Sequence, residues 1–235
     1  MQTKKVPKTI ALIPDGNRRW ASGHRLSILN GYALGVTKFI DFSEWCLDYG
    51  VKNISVWAFS TENFNRPKHE VDALFKIYKK AATDKKLIAR LHKNKTRFNV
   101  IGDKSLLPKD LTIALENIES QTKNYKERAI NMLIGYGGKE DILHAVKEYA
   151  KSVIKIGKVF TLTDETFKKY LRSYAIPDID FVIRTSKEER ISGFLPWQIS
   201  YSELYFADKL WPDFSRKDLS KAIAEYSKRT RRFGT

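Results

Sequence analysis

Between Ile10 and Ala21 the chain reads IALIPDGNRRWA, an apolar run that ends on one carboxylate, Asp15, and passes through Gly16 and Asn17 to two cations, Arg18 and Arg19, and then Trp20. Asp-Gly-Asn makes a sharp turn, because glycine tolerates positive φ and Asp and Asn bond their own backbone. The arginines add a second reading. Turn amides with guanidinium forks receive a diphosphate, and one acid beside it suits Mg²⁺, which binds through a carboxylate, phosphate oxygens and water. A second polar group, AFSTENFNRP, offers Ser60, Thr61, Asn63 and Arg66 close together. Ser-Thr-Glu there also serves as a helix cap. In FVIRTSKEERISGF, Arg184, Arg190 and Ser192 form a candidate second anion site, against which stands a plain ion pair of either arginine with Glu188 or Glu189. Glu203, in the apolar run SYSELYF, needs a metal or an arginine partner, since an unpaired carboxylate is costly in such a setting.

These groups need a frame that brings them together. Short apolar segments rich in β-branched and aromatic residues, at 9–15, 53–59, 96–103, 130–136 and 180–186, read as strands. Periodic stretches at 31–49, 70–92, 110–122, 139–154 and 216–231 read as helices; Val71, Leu74, Phe75 and Tyr78 share one face of the second. The alternation predicts an α/β fold with a mainly parallel central sheet flanked by helices, in one domain over 1–235. In such sheets the loops after the strands' carboxyl ends carry the chemistry, and the candidate residues stand in those loops.

Composition narrows the partners. At 235 residues, with 42% apolar and 30% charged residues, the chain has the make-up of a globular domain and not of a disordered tail. A net charge of +16 points to anionic partners. Nucleic acid is not expected, because no binding motif is present and the arginines cluster at loop tips instead of forming a stripe. The single Cys46 reads as a buried thiol, and four scattered histidines make no zinc pattern. With no long apolar run and no apolar core in MQTKKVPK, the expectation is a cytoplasmic protein that can rest peripherally on a membrane.

The blocks IALIPDGNRRWA, SVWAFSTENFNRP, GYGGKEDI, DIDFVIRTSKEERISGFLPWQISYSELYF, LWPDF and RRFG resemble, in order, those of the cis-prenyltransferases, the undecaprenyl diphosphate synthase family. The IPDGNRR form and the tyrosine in GYALG look like archaeal members. The resemblance implies an α/β fold with a hydrophobic tunnel, a dimer, and Mg²⁺-dependent condensation of isopentenyl diphosphate with an allylic diphosphate. By position it makes Asp15 the metal and diphosphate acid and Asn63 a proton acceptor. It gives Gly16, Asn17, Arg18, Arg19 and Trp20 to the allylic diphosphate loop. Ser60, Thr61, Glu62 and Arg66 fall to the reacting centre, and Arg184, Arg190 and Ser192 to the isopentenyl diphosphate site. Glu203 becomes a second metal carboxylate, and Arg232 and Gly234 an element completing a site across the dimer. Tyr32 stands where bacterial members carry histidine and joins the substrate-binding set. Two rival readings share the fold: irregular head-to-middle coupling of the lavandulyl type, and a non-catalytic subunit of a heterodimeric synthase.

Overall fold

The computed structural model describes residues 5–229. Six strands form one sheet: β1 (Thr9–Ile13), β2 (Asn53–Ser60), β3 (Thr96–Ile101), β4 (Arg128–Tyr136), β5 (Phe181–Arg184) and β6 (Glu203–Phe206). Every pairing is parallel, in the order β3-β4-β2-β1-β5-β6. Eight helices connect or cover them: α1 (Asn17–Gly23), α2 (Ile28–Asp48), α3 (Lys68–Ala82), α4 (Lys85–Lys93), α5 (Lys109–Thr122), α6 (Gly138–Ile156), α7 (Asp164–Lys168) and α8 (Arg216–Lys228). The parallel α/β architecture expected from the alternation is the one observed. One difference lies between α3 and α4. The stretch read as a single helix over 70–92 breaks where Asp84, its carboxylate accepting from the Lys86 and Leu87 N–H groups, starts a new helix.

Strand β1 is buried along its whole length, and its alternate residues feed two cores. Ile10 and Leu12 pack with Phe42, Cys46 and Trp211, whereas Ala11 and Ile13 pack with Leu133, Phe194 and Leu195. Both faces of the sheet are therefore covered, as a parallel sheet requires. Cys46 is fully buried, as expected, and burial pushes its thiol well above the ordinary range.

The strand order determines where a site can form. From β1 the chain passes to β2 beside it, crosses to β3 at the edge and fills the gap between them with β4, then returns to add β5 and β6 on the other side of β1. Neighbouring connections leave β1 and β5 in opposite directions, so a crevice opens at their carboxyl ends. The exits of β2, β1 and β5 are adjacent, and they carry FSTENF, PDGNRRW and RTSKEER.

Candidate active site

Asp15 leaves β1 through Gly16, whose φ of 106° is open to glycine and strained for other residues. Helix α1 then starts at Asn17 and presents Arg18 and Arg19. Gly35 on α2 allows this: a Cβ there would collide with the Asn17 side chain and press on Trp211, whose indole N–H donates to the Gly35 carbonyl at 2.9 Å. The Asn17 Nδ2 group in turn donates to the Pro14 carbonyl at 3.0 Å, tying the turn to the helix.

Across the crevice, at the end of β5, Arg184 is almost wholly buried. Its Nη2 donates to Asp15 Oδ2 at 3.0 Å, and its Nη1 to Ser192 Oγ at 2.9 Å and to the Arg190 carbonyl. Arg19 reaches the same loop: Nη2 donates to Ser186 Oγ at 2.6 Å, and the guanidinium lies 3.2 Å from Glu188 and 3.7 Å from Asp15. Arginines from two strand exits thus flank one carboxylate. That arrangement supplies several N–H donors to an anion, with a fixed negative group at its centre.

The β2 exit adds a third wall. Ser60 N–H donates to Asn63 Oδ1 at 3.1 Å, so the cap read from the sequence is formed, yet both residues also face the crevice. Arg66 donates to the Tyr32 hydroxyl at 2.6 Å and lies 3.5 Å from Glu70, which accepts from that hydroxyl at 3.0 Å. Burial pushes the Tyr32 hydroxyl up to about 12, with the Glu70 charge adding to the rise and Arg66 opposing it. Glu70, itself buried and 3.7 Å from Arg18, was missed in the sequence, although its place one turn after Arg66 was a usable signal.

A cavity of about 830 Å³ takes in this polar mouth and continues between the sheet and α2, α3 and α4. Gly16, Asn17, Arg18, Arg19, Tyr32, Ser60, Glu62, Asn63, Arg66, Arg184 and Ser192 join Asp15 in its lining, so most of the residues singled out converge. Others do not. The Trp20 indole N–H donates to Asp213 at 2.7 Å and its ring stacks on His24, outside the lining. Thr61 packs against Gly137, and the exposed Arg190 guanidinium pairs with Glu188, which is the plain ion-pair alternative. Glu203 is the main correction. It pairs in register with Phe181, the first residue of β5, at the end of the sheet opposite Asp15. Its charge is met by Arg229 at 3.1 Å, the arginine partner its setting called for. Arg232 and Gly234 lie outside the described residues.

The donor set can be weighed against Mg²⁺. No group of three or more His, Cys, Asp or Glu side chains stands together among the described residues, so no protein-built cage exists there. Asp15 keeps a third of its side chain exposed, next to the Arg19 and Arg184 guanidinium groups. One carboxylate beside such cations fits a small hard cation that keeps its waters and takes oxygens from a phosphate-bearing ligand.

A family model described as "Putative undecaprenyl diphosphate synthase" matches residues 13–234. The chain belongs to the undecaprenyl diphosphate synthase family. As a member it is a prenyl transferase of the polyprenyl diphosphate synthase kind. It is 43% identical, over 98% of its length and 85% of the relative's, to the "Tritrans,polycis-undecaprenyl-diphosphate synthase (geranylgeranyl-diphosphate specific)" of Methanopyrus kandleri. To the isoprenyl transferase of Aquifex aeolicus it is 41% identical, over 98% of this chain and 96% of that one. Among solved structures, lavandulyl diphosphate synthase from Lavandula x intermedia, in complex with dimethylallyl diphosphate, superposes with a TM-score of 0.93 at 33% identity, covering 98% and 99% of the two chains.

Proposed function

We propose that this synthase uses Mg²⁺ to condense isopentenyl diphosphate with farnesyl or geranylgeranyl diphosphate, and builds a Z-polyprenyl diphosphate, the precursor of a glycosyl carrier lipid. The observation that carries the reading is the Asp15–Arg184 pair set at the mouth of an apolar cavity. A diphosphate and a hydrocarbon tail need these two environments side by side.

In this reading Arg18, Arg19 and the turn amides of Gly16 and Asn17 hold the allylic diphosphate. The Arg184–Ser192 end of the crevice holds isopentenyl diphosphate. Mg²⁺, held by Asp15, would neutralise charge building on the departing diphosphate. The allylic C–O bond breaks with its electron pair going to the diphosphate; the isopentenyl double bond supplies the pair for the new C–C bond; a proton then passes from the isopentenyl unit to an oxygen of the released diphosphate. Asn63, fixed through its Oδ1 to Ser60, orients that unit beside Arg66. Holding both substrates by their charged ends supplies much of the acceleration as orientation. The reading also includes a cytoplasmic homodimer, to which Arg232 and Gly234 contribute.

The likeness to lavandulyl diphosphate synthase supports a second reading, head-to-middle coupling on the same frame. A non-catalytic subunit is less well supported, because Asp15 and its arginines are intact. The test supplies purified protein and Mg²⁺ with isopentenyl diphosphate and, in turn, dimethylallyl, geranyl, farnesyl and geranylgeranyl diphosphate, and weighs the products. A ladder spaced by one isoprene unit, strongest from farnesyl or geranylgeranyl diphosphate, is the expected result. A single coupled product from dimethylallyl diphosphate alone would favour the second reading, and no product from any primer the third.

A further inference from the structure

The cavity runs the length of the sheet. It begins at Asp15, beyond the carboxyl end of β1, and its walls extend to Thr96 and Arg128, the first residues of β3 and β4, and to Lys52, just before β2. Strand β2 alone has eight residues, a span of about 26 Å at the usual rise. An isoprene unit advances the chain by four bonds, about 5 Å at the projection per bond of an extended backbone. About five or six units therefore fill the passage. On the function proposed above, on which this inference rests, a four-unit primer fits inside, and a tail that keeps growing must leave at the far end.

That end is built unlike the front. The exposed side chains of Lys52 and Arg90 line it, so the cavity meets the surface there. An ion pair of 3.0 Å between Glu44 of α2 and Arg90 of α4, half exposed on both sides, crosses beside the opening. Helix α4 is amphipathic about the same point: Leu87, Ile88 and Leu91 face the cavity, whereas Lys86, Arg90 and Lys93 recur at i, i+4 and i+7 on its exposed side. An apolar passage that opens among lysines and arginines suits neither bulk water, which rejects the tail, nor nucleic acid, which has no use for the passage. It suits a bilayer with acidic headgroups, which takes the cations at its surface and the hydrocarbon in its interior.

We propose that the rear mouth, lined by Lys52 and the Glu44–Arg90 pair and flanked by Lys86 and Lys93 on the exposed side of α4, docks on an anionic lipid bilayer and discharges the growing tail into it. The test is vesicle flotation of the full chain, with phosphatidylcholine alone and with added phosphatidylglycerol, for the wild type and for Lys86→Glu/Lys93→Glu. The wild type should float with the anionic vesicles, less so as salt rises, and not with the neutral ones. The double variant should lose that partition by on the order of a hundredfold. Its melting temperature and its first condensation on geranylgeranyl diphosphate should match the wild type, because neither lysine lines the cavity. Equal flotation with both vesicle types, flotation unchanged in the variant, no flotation at all, or capture of duplex RNA in place of vesicles would each overturn the docking. A chain that floats through these lysines but condenses nothing would overturn the proposed reaction instead.

Discussion

Asp15 and Arg184 define the site at the scale of single residues. Arg184 is buried with its Nε unmatched by any acceptor, and Asp15 is its carboxylate partner. Replacing Asp15 by Ala should lower kcat by on the order of 10²–10³, the cost of removing a preorganised group at a developing charge. Circular dichroism should show the fold retained, and a variant with near-normal kcat would refute the role. The Tyr32–Glu70–Arg66 cluster gives a separate prediction in pH. The Tyr32 hydroxyl is raised from 10.0 to about 12 in the folded chain, so the unfolded state gives up its proton first as pH rises. Its share of stability is present in full below about pH 10 and is lost as pH climbs through 12. Unfolding by denaturant across that range should show a decline in the wild type that Tyr32→Phe reduces.

At the scale of elements, the loop after β5 is held against its own preferences. Ser186 and Lys187 have φ of 79° and 62°, yet their N–H groups bond the Lys209 and Ala207 carbonyls. Lys187 is exposed, so Lys187→Gly should stabilise the protein by about 0.5–1 kcal/mol, the left-handed cost relieved less the flexibility gained by the unfolded chain. Thermal unfolding measures it, and a lower melting temperature would contradict it. Strands and their exits were legible because a buried parallel strand writes itself as an uninterrupted apolar run, as TIALI does. The break between α3 and α4 was not, because the apolar periodicity resumes across it and only the short carboxylate of Asp84 marks the new start. Strand β6 was legible only as a strand-like apolar setting around Glu203, because its residues are only half buried at the sheet's edge and the run is four residues long.

The whole molecule joins these parts through strand order, which a sequence does not display. Most of the candidate site was legible, since Asp15 follows β1 and Ser60 and Arg184 end the strands on either side of it, so that their loops meet at one crevice. Glu203 was misplaced because an acid in an apolar run shows that a partner exists without showing at which end of the sheet. The cavity was legible only through resemblance, because its lining is drawn from segments far apart in the chain. Bulk placed midway should shorten the product: Ala81→Trp, on the α3 wall, is expected to allow the first additions and stop later ones, read by mass as a truncated ladder, whereas an unchanged ladder would mean the tail takes another route. The central claim, two diphosphates at one mouth joined head to tail, is tested most directly by the carbon-13 NMR spectrum of the first product from labelled isopentenyl diphosphate and geranylgeranyl diphosphate. A linear chain with one new Z double bond is predicted. A branched skeleton, or an E bond, would contradict it.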